Sequence, residues 1–502
     1  MKTIRKTVRC AGALVALATV LVAIMPERSQ GQQDTPPPPS APRPVHFPTP
    51  VERTLRNGLR VVTVERKEVP LVTAEMLIKA GGAADPAQLA GLADMTAALL
   101  TKGTATRSAP QIAEAIEALG GALNSEARWD ASSASINVMS SRFEPAMEIL
   151  ADVVRHPTFK DEEIERLRQQ TLDDLNVELR DPGALARFVA ERVVFGDEPY
   201  GHPLAGTLES VARIKRDDII RLHDAYYRPD NAILVIGGDI KPEKAFQIAE
   251  RLFGDWAKPS TPLPVSNAES TASSTDNKLR VIVIDKPDAG QAAVVVARRG
   301  IKRTDPDYFR GLVANSVLGG GYSSRLNEEI RVKRGLSYGA GSALDARRDV
   351  GPFIEATQTK NQSGAEVASI LVSELGRLSS APIPETELTP RKSALTGNFA
   401  RALETTDGLV GEVASLALYG LSFNEINDFI SNVQRVTAGD VQRFAGSRID
   451  AKDARVIIVG NGREFLNDLR KQFPNVEVIP VAELDLNSAN LRRPNSVGAT
   501  KK

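Results

Sequence analysis

Three segments of this chain recur at intervals of 220 to 223 residues, and a repeat of that length requires the fold to be built twice. Asn57-Gly58-Leu59-Arg60-Val61-Val62-Thr63-Val64 is echoed by Asn277-Lys278-Leu279-Arg280-Val281-Ile282-Val283-Ile284, an offset of 220. Gly91-Leu92-Ala93 is echoed by Gly311-Leu312-Val313 at the same offset, and AILVIG (232–237) by RVIIVG (455–460) at an offset of 223. One short match is within chance; three in register are the mark of a tandem duplication. Between the copies lies STPLPVSNAESTASSTDN (260–277), a polar stretch with two prolines that cannot supply a core and reads as the hinge.

Each copy reads as strands followed by long helices. In the first, period-2 patterns predict strands near 59–65, 71–79, 122–129 and 133–139. Period-3.6 patterns predict helices near 142–155, 160–180, 184–194 and 215–227, and a last strand (Ile233–Gly237) and helix (241–254) close the copy. This mixed order predicts an α+β fold with helices packed on a sheet face.

The N-terminus carries the clearest targeting signal. Lys2, Arg5, Lys6 and Arg9 precede the apolar run AGALVALATVLVAIM (11–25), which has the length of a signal-peptide core and is short for a membrane span. Export to the periplasm or medium is therefore expected, with the chain divided into a signal peptide (1–31), a proline-rich spacer (32–47), an N-terminal half (48–257), a linker (258–277), a C-terminal half (278–480) and a polar tail (481–502). The signal segment holds five basic residues and one acidic, so its removal takes a formally neutral chain to about −4 and argues against nucleic-acid binding. The only cysteine, Cys10, lies within it, which excludes a cysteine nucleophile from the mature chain. No other apolar run is long enough to span a bilayer.

GLADMTAALLTKGT (91–104) is the most informative motif. Leu92, Met95, Leu99 and Leu100 recur at helical spacing, and Lys102-Gly103 supplies a cationic last turn and a C-cap glycine. The string resembles the active-site helix of the insulinase/pitrilysin family, which includes the mitochondrial processing peptidase and the core subunits of respiratory complex III. In that family the frame surrounds H-x-x-E-H, two histidines binding zinc and a glutamate activating water. Here Asp94 and Ala98 stand at the histidine positions and Ala97 at the glutamate. The family's third ligand, a glutamate on a later helix, matches Asp174 within EIERLRQQTLDDLNVELRDP (163–182). Two aspartates make a poor zinc site, and both read more simply as solvated helix charges. No metal or other cofactor is expected in this chain.

The resemblance spans residues 48–475 and implies two homologous halves facing each other as a clamshell. LGGGYSSRLNEEIRVKRGLSY (318–338) resembles the family's C-terminal substrate segment, in which an arginine and a tyrosine seven residues apart help bind the peptide; Arg331 and Tyr338 match that pair. If helix continues, the two share a face; if Gly335 ends it, Tyr338 comes from the following strand. Without the family, Arg331 reads as a salt-bridge partner of Glu328 or Glu329. Gly319, Gly320 and Gly321 form a loop that either admits peptide or simply caps a helix. The strand GGALNSEARWD (120–130) matches the family's edge strand, which takes substrate by β-addition; Asn124, Ser125 and Ala127 suit that role, and Trp129 reads as core.

Other catalytic constellations are missing from the sequence. His46, His156, His202 and His223 have no metal-ligand spacing, His156 and His202 each precede a proline in turn-like text, and there is no G-x-S-x-G elbow or phosphate loop. The expected function is the non-catalytic, substrate-binding subunit of a heterodimeric zinc metallopeptidase, inactive alone. A homologous H-x-x-E-H subunit would supply zinc, and Arg331 with Tyr338 would join its site. The alternatives are a peptide-binding or scaffold protein without proteolysis, and a peptidase with an unusual site.

Overall fold

The computed structural model describes residues 47–264 and 278–493. The expected signal peptide, the spacer up to His46, residues 265–277 of the linker and residues 494–502 of the tail lie outside the described residues.

The first half runs β1 (Val51–Thr54), β2 (Arg60–Glu65), β3 (Leu71–Ile78), α1 (Leu92–Leu99), α2 (Ala109–Ala118), β4 (Ala122–Ala127), β5 (Ser132–Met139), α3 (Phe143–Arg155), α4 (Asp161–Glu178), α5 (Pro182–Phe195), α6 (Leu208–Arg213), α7 (Arg216–Tyr226), β6 (Ala232–Gly238) and α8 (Pro242–Phe253). The second runs β7 (Arg280–Asp285), β8 (Ala292–Arg299), α9 (Tyr308–Leu318), a short turn of helix (Arg325–Asn327) continuing as a π-turn (Glu328–Val332), β9 (Ala340–Leu344), β10 (Pro352–Thr359), α10 (Gly364–Ser380), α11 (Glu385–Ala402), α12 (Thr406–Tyr419), α13 (Glu425–Arg435), α14 (Ala438–Arg448), β11 (Arg455–Gly460), α15 (Leu466–Gln472) and β12 (Val476–Pro480).

Each half builds one six-stranded mixed sheet, in the orders β1-β2-β6-β3-β5-β4 and β12-β7-β11-β8-β10-β9. Five of the six strands correspond one to one, with β2 parallel to β6 and β7 parallel to β11. The outer strands differ: β1 precedes β2 and pairs with it antiparallel, whereas β12 comes from the far end of the chain and lies parallel to β7. The duplication is thus present in the fold as an α+β clamshell of two homologous halves.

One face of each sheet is covered by its own helices. On the first, Val72, Ala74 and Met76 meet α1, α3 and α8. The other face is covered by a helix from the opposite half. Leu185, Ala186, Val189 and Ala190 of α5 lie on Ile284, Val295, Ala297 and Ile457 of the second sheet. Reciprocally, Leu409, Val410, Val413 and Ala417 of α12 lie on Val62, Val64, Ile233 and Val235 of the first. The exchanged helices are themselves duplicates, 14 residues each. Strands buried on both faces need a continuous apolar run, which is why β6 and β11 read AILVIGG and RVIIVG without alternation. Each aliphatic side chain withdrawn there contributes about 1.5–3 kcal/mol. Residues 481–493 carry Leu484, Leu486 and Leu491 into the same cluster as α5.

The turns after the edge strands β4 and β9 meet. Buried Asp130 accepts hydrogen bonds from Tyr200 Oη (2.5 Å), Tyr419 Oη (3.1 Å) and the backbone N of Arg348 (2.8 Å), and its own carbonyl accepts one from Arg348 Nη2 (2.7 Å). Arg347 lies over Trp129 (4.6 Å) and Tyr200 (4.8 Å). Trp129, expected in the core, is instead a half-buried contact between the halves, with Arg347 reaching its ring from the opposite turn. Among the described residues no helix is long and apolar enough to cross a membrane.

Candidate functional site

Helix α1 is held at its N-terminus by a residue outside it. Asp85 accepts hydrogen bonds from Gly91 N and Ala93 N, both 2.8 Å, satisfying amides that the helix itself cannot pair. Gly91 has φ +92°, and a Cβ there would lie 2.6 Å from the Ala205 carbonyl oxygen, so the glycine that opens the motif has a backbone reason. Leu92, Met95, Leu99 and Leu100 all enter the core, as their spacing predicted.

The two positions that should ligate and activate carry methyl groups. Ala97 is fully buried and its carbonyl accepts a hydrogen bond from Ser125 Oγ (2.8 Å); Ala98 is half-buried. Asp94 is not the solvated charge expected of it: it is half-buried, and burial with the nearby Glu126 pushes its carboxyl up to about 6. Asp174 is exposed on α4, in a surface groove with Glu162, Glu165, Gln169 and Asp173. Among the described residues no group of three or more histidine, cysteine or carboxylate side chains is placed to hold a metal ion. Zinc wants three or four donors, nitrogen or sulfur prominent, so this donor set does not fit it.

Strand β4 bonds only to β5, leaving its other edge open in the described sheet. Its side chains divide by face. Asn124 points to solvent, Ser125 is engaged by the Ala97 and Ser133 carbonyls (2.8 and 3.1 Å), and Ala127 is buried. Of the three candidates only Asn124 is available as a side chain; what the strand offers is its backbone, which is the group β-addition uses. Sequence reasoning passed over Glu75, two strands away on the Asn124 face in register with Ser135. Burial pushes it up to about 7, against Arg128 and with help from Glu126 and Asp407. A glutamate in the middle of the strand LVTAEMLI was the available signal. Beside it, Asn137 Nδ2 donates to Thr73 Oγ1 (2.9 Å) and Asp407 Oδ1 (2.6 Å), tying this face to the start of α12.

In the second half the structure brings Arg331 and Tyr338 together. Gly335 adopts φ +61° and closes the π-turn, with Gly335 N bonded to Arg331 O (3.1 Å) and Leu336 N to Ile330 O (2.9 Å). The chain then doubles back ahead of β9, so the helix-ending alternative is the one realised, and Tyr338 reaches Arg331 from the return segment. The guanidinium carbon lies 4.8 Å from the Tyr338 ring centroid and 4.6 Å from that of Tyr322, which sequence reasoning missed. Both rings are open to solvent, at 89% and 68%. The expected Glu328 or Glu329 partner is not used: Glu329 pairs with Lys333 and Arg334. Of the glycines, Gly319 follows α9 and packs on β9, where a Cβ would lie 2.2 Å from Ser342 N; Gly320 would meet Ser316; Gly321 is open on every side.

Residues 60–207 match the family model described as Insulinase (Peptidase family M16), and residues 213–395 the one described as Peptidase M16 inactive domain. A Mycobacterium leprae protein named as an uncharacterized zinc protease is 27% identical over 408 residues, covering 81% of this chain and 90% of its own. The crystal structure of a peptidase M16 inactive domain from Pseudomonas fluorescens superposes with a TM-score of 0.75 at 26% identity, covering 82% of this chain and 98% of its own. A protease from Helicobacter pylori shares the fold at TM-score 0.77 and 21% identity, covering 82% and 100%. With both halves matched by the paired models and the H-x-x-E-H frame recognisable in α1, this chain belongs to peptidase family M16.

Proposed function

We propose that this chain is the non-catalytic, substrate-binding subunit of a zinc metallopeptidase formed with a homologous family member. The observation that carries the reading is the split between its halves: the metal and base positions of α1 hold Asp94, Ala97 and Ala98, while Arg331 and Tyr338 stand together with Tyr338 almost wholly exposed. A chain without the donors for zinc gains nothing from a solvent-facing arginine–tyrosine pair unless another chain supplies the metal and the base. In this assembly an extended peptide adds to the open edge of β4. Arg331 and Tyr338 donate hydrogen bonds to its carbonyl oxygens and stabilise charge that builds on them. The basic n-region and apolar core of residues 1–25 support assembly outside the cytoplasm.

The test is turnover of an extended, internally quenched peptide by the purified mature chain, by an H-x-x-E-H homologue from the same source, and by their equimolar mixture. The expected result is no turnover by this chain alone and a mixture faster than the homologue. Hydrolysis by this chain alone overturns the reading.

A further inference from the structure

Arg331 differs from its cationic neighbours in how its charge is met. Arg325 is bidentate to Glu387 (2.7 and 2.9 Å), and Lys333 and Arg334 share Glu329. No carboxylate and no hydrogen-bond acceptor among the described residues engages the Arg331 guanidinium; two tyrosine rings do instead. Ring faces attract the cation without consuming its N–H groups, which leaves a planar set of donors facing solvent.

The backbone segments that carry the two rings are tied by one buried residue. Asn327, 3% exposed, donates from Nδ2 to the Tyr322 carbonyl and accepts from Ala340 N (3.4 Å) at the start of β9. It therefore ties the loop carrying Tyr322 to the arm carrying Tyr338. That arm is fastened a second time, since Thr357 Oγ1 lies 2.8 Å from both Ser337 Oγ and Gly339 O and its one hydroxyl hydrogen bonds to this pair. Tyr322 itself makes no side-chain hydrogen bond in the described structure and packs in no core. Its contact with Arg331 is the interaction its exposed ring makes.

We infer that Tyr322 is a positioning residue that, with Tyr338, holds Arg331 ready for a carboxylate of the bound peptide, giving the site a preference for acidic side chains or a free C-terminus. The chemistry follows from the donors. A carboxylate matches a guanidinium fork with two acceptor oxygens and a full charge, whereas a peptide carbonyl offers one neutral oxygen. The inference rests on the peptide-binding reading above and adds the substrate class: the five N–H donors of one guanidinium serve a backbone carbonyl and a neighbouring carboxylate together.

The test is fluorescence-anisotropy binding of the mature chain to three peptides of one length and core: amidated without acidic residues, the same with a free C-terminal carboxylate, and amidated with one internal glutamate. One or both carboxylate peptides should bind about tenfold tighter than the neutral one, roughly the worth of a charge-assisted pair, and whichever does identifies the source. Tyr322→Leu should bring that ratio to within about twofold with the unfolding midpoint unchanged, and Tyr322→Phe should restore it. A ratio that persists in Tyr322→Leu, or a wild-type chain that binds all three alike, overturns the inference and leaves peptide binding standing. If none of the three binds, the peptide-binding reading falls and the inference with it.

Discussion

Glu355 is wholly buried on the core face of β10, and neither of its carboxylate oxygens has a hydrogen-bond partner. It pairs with Val296 and Ser342, as Ala134 in the first half pairs with Met76 and Ser125. The acid therefore stands where the other copy has a methyl group. Burial, reinforced by Glu374 on α10, pushes its carboxyl well above the ordinary range. The sign follows: the folded state holds a proton that the unfolded chain releases above its own carboxyl pKa, so stability is full below that value and falls as pH rises toward the folded one. Glu355→Met should raise stability by about 1–3 kcal/mol near pH 8 and by less near pH 4.5, read from urea unfolding at both. A gain that does not change with pH would mean the carboxyl titrates alike in the folded and unfolded chain, so that burial does not raise it. In PFIEATQT a glutamate between apolar residues reads as the solvent side of a strand, and nothing local says that α10, with Glu374, packs over it. Tyr322 was equally illegible, since its partner lies nine residues on, across the short helical turn Arg325–Asn327 and into the π-turn, which no periodicity in the sequence announces.

At the scale of the element, α1 shows a motif surviving the loss of its chemistry. Its apolar stripe, the opening Gly91 and the Gly103 that follows the next turn, both glycines at positive φ, are required by packing and backbone, so they persist where ligands have gone. Its cap comes from Asp85, six residues before Gly91. Asp85→Ala should cost about 1–2 kcal/mol by leaving the amides of Gly91 and Ala93 unpaired, with faster hydrogen exchange confined to those amides. Unchanged exchange there would show the cap to be unimportant. The long helices and the inner strands of the first half were legible because their apolar spacing is regular. Helix α2 was overlooked although Ser108-Ala-Pro-Gln111 is a capping box, since only Ile112 and Ile116 mark its buried side. The free edge of β4 was legible as small, polar text; which of its side chains face outward depended on register with β5 and was not.

For the whole molecule, the duplication read in the sequence became two sheets of the same strand order. The exchange of α5 and α12 is what the repeat could not show. Both helices are apolar around most of their circumference, which marks burial without naming the half that buries them. Because each half covers a face of the other's sheet, the arginine–tyrosine pair of one half and the empty zinc helix of the other sit on a single interlocked body. Such a body suits a subunit that presents groups to a partner. On the function proposed above, this chain lends those groups to a metal site it does not own. The most direct measurement is kcat of the equimolar mixture with an H-x-x-E-H homologue, with this chain wild type or Arg331→Ala. Arg331→Ala should leave complex formation intact and lower kcat about 100-fold, the usual cost of one donor to a developing oxyanion. A mixture whose kcat is indifferent to Arg331 would contradict it and make this chain a scaffold.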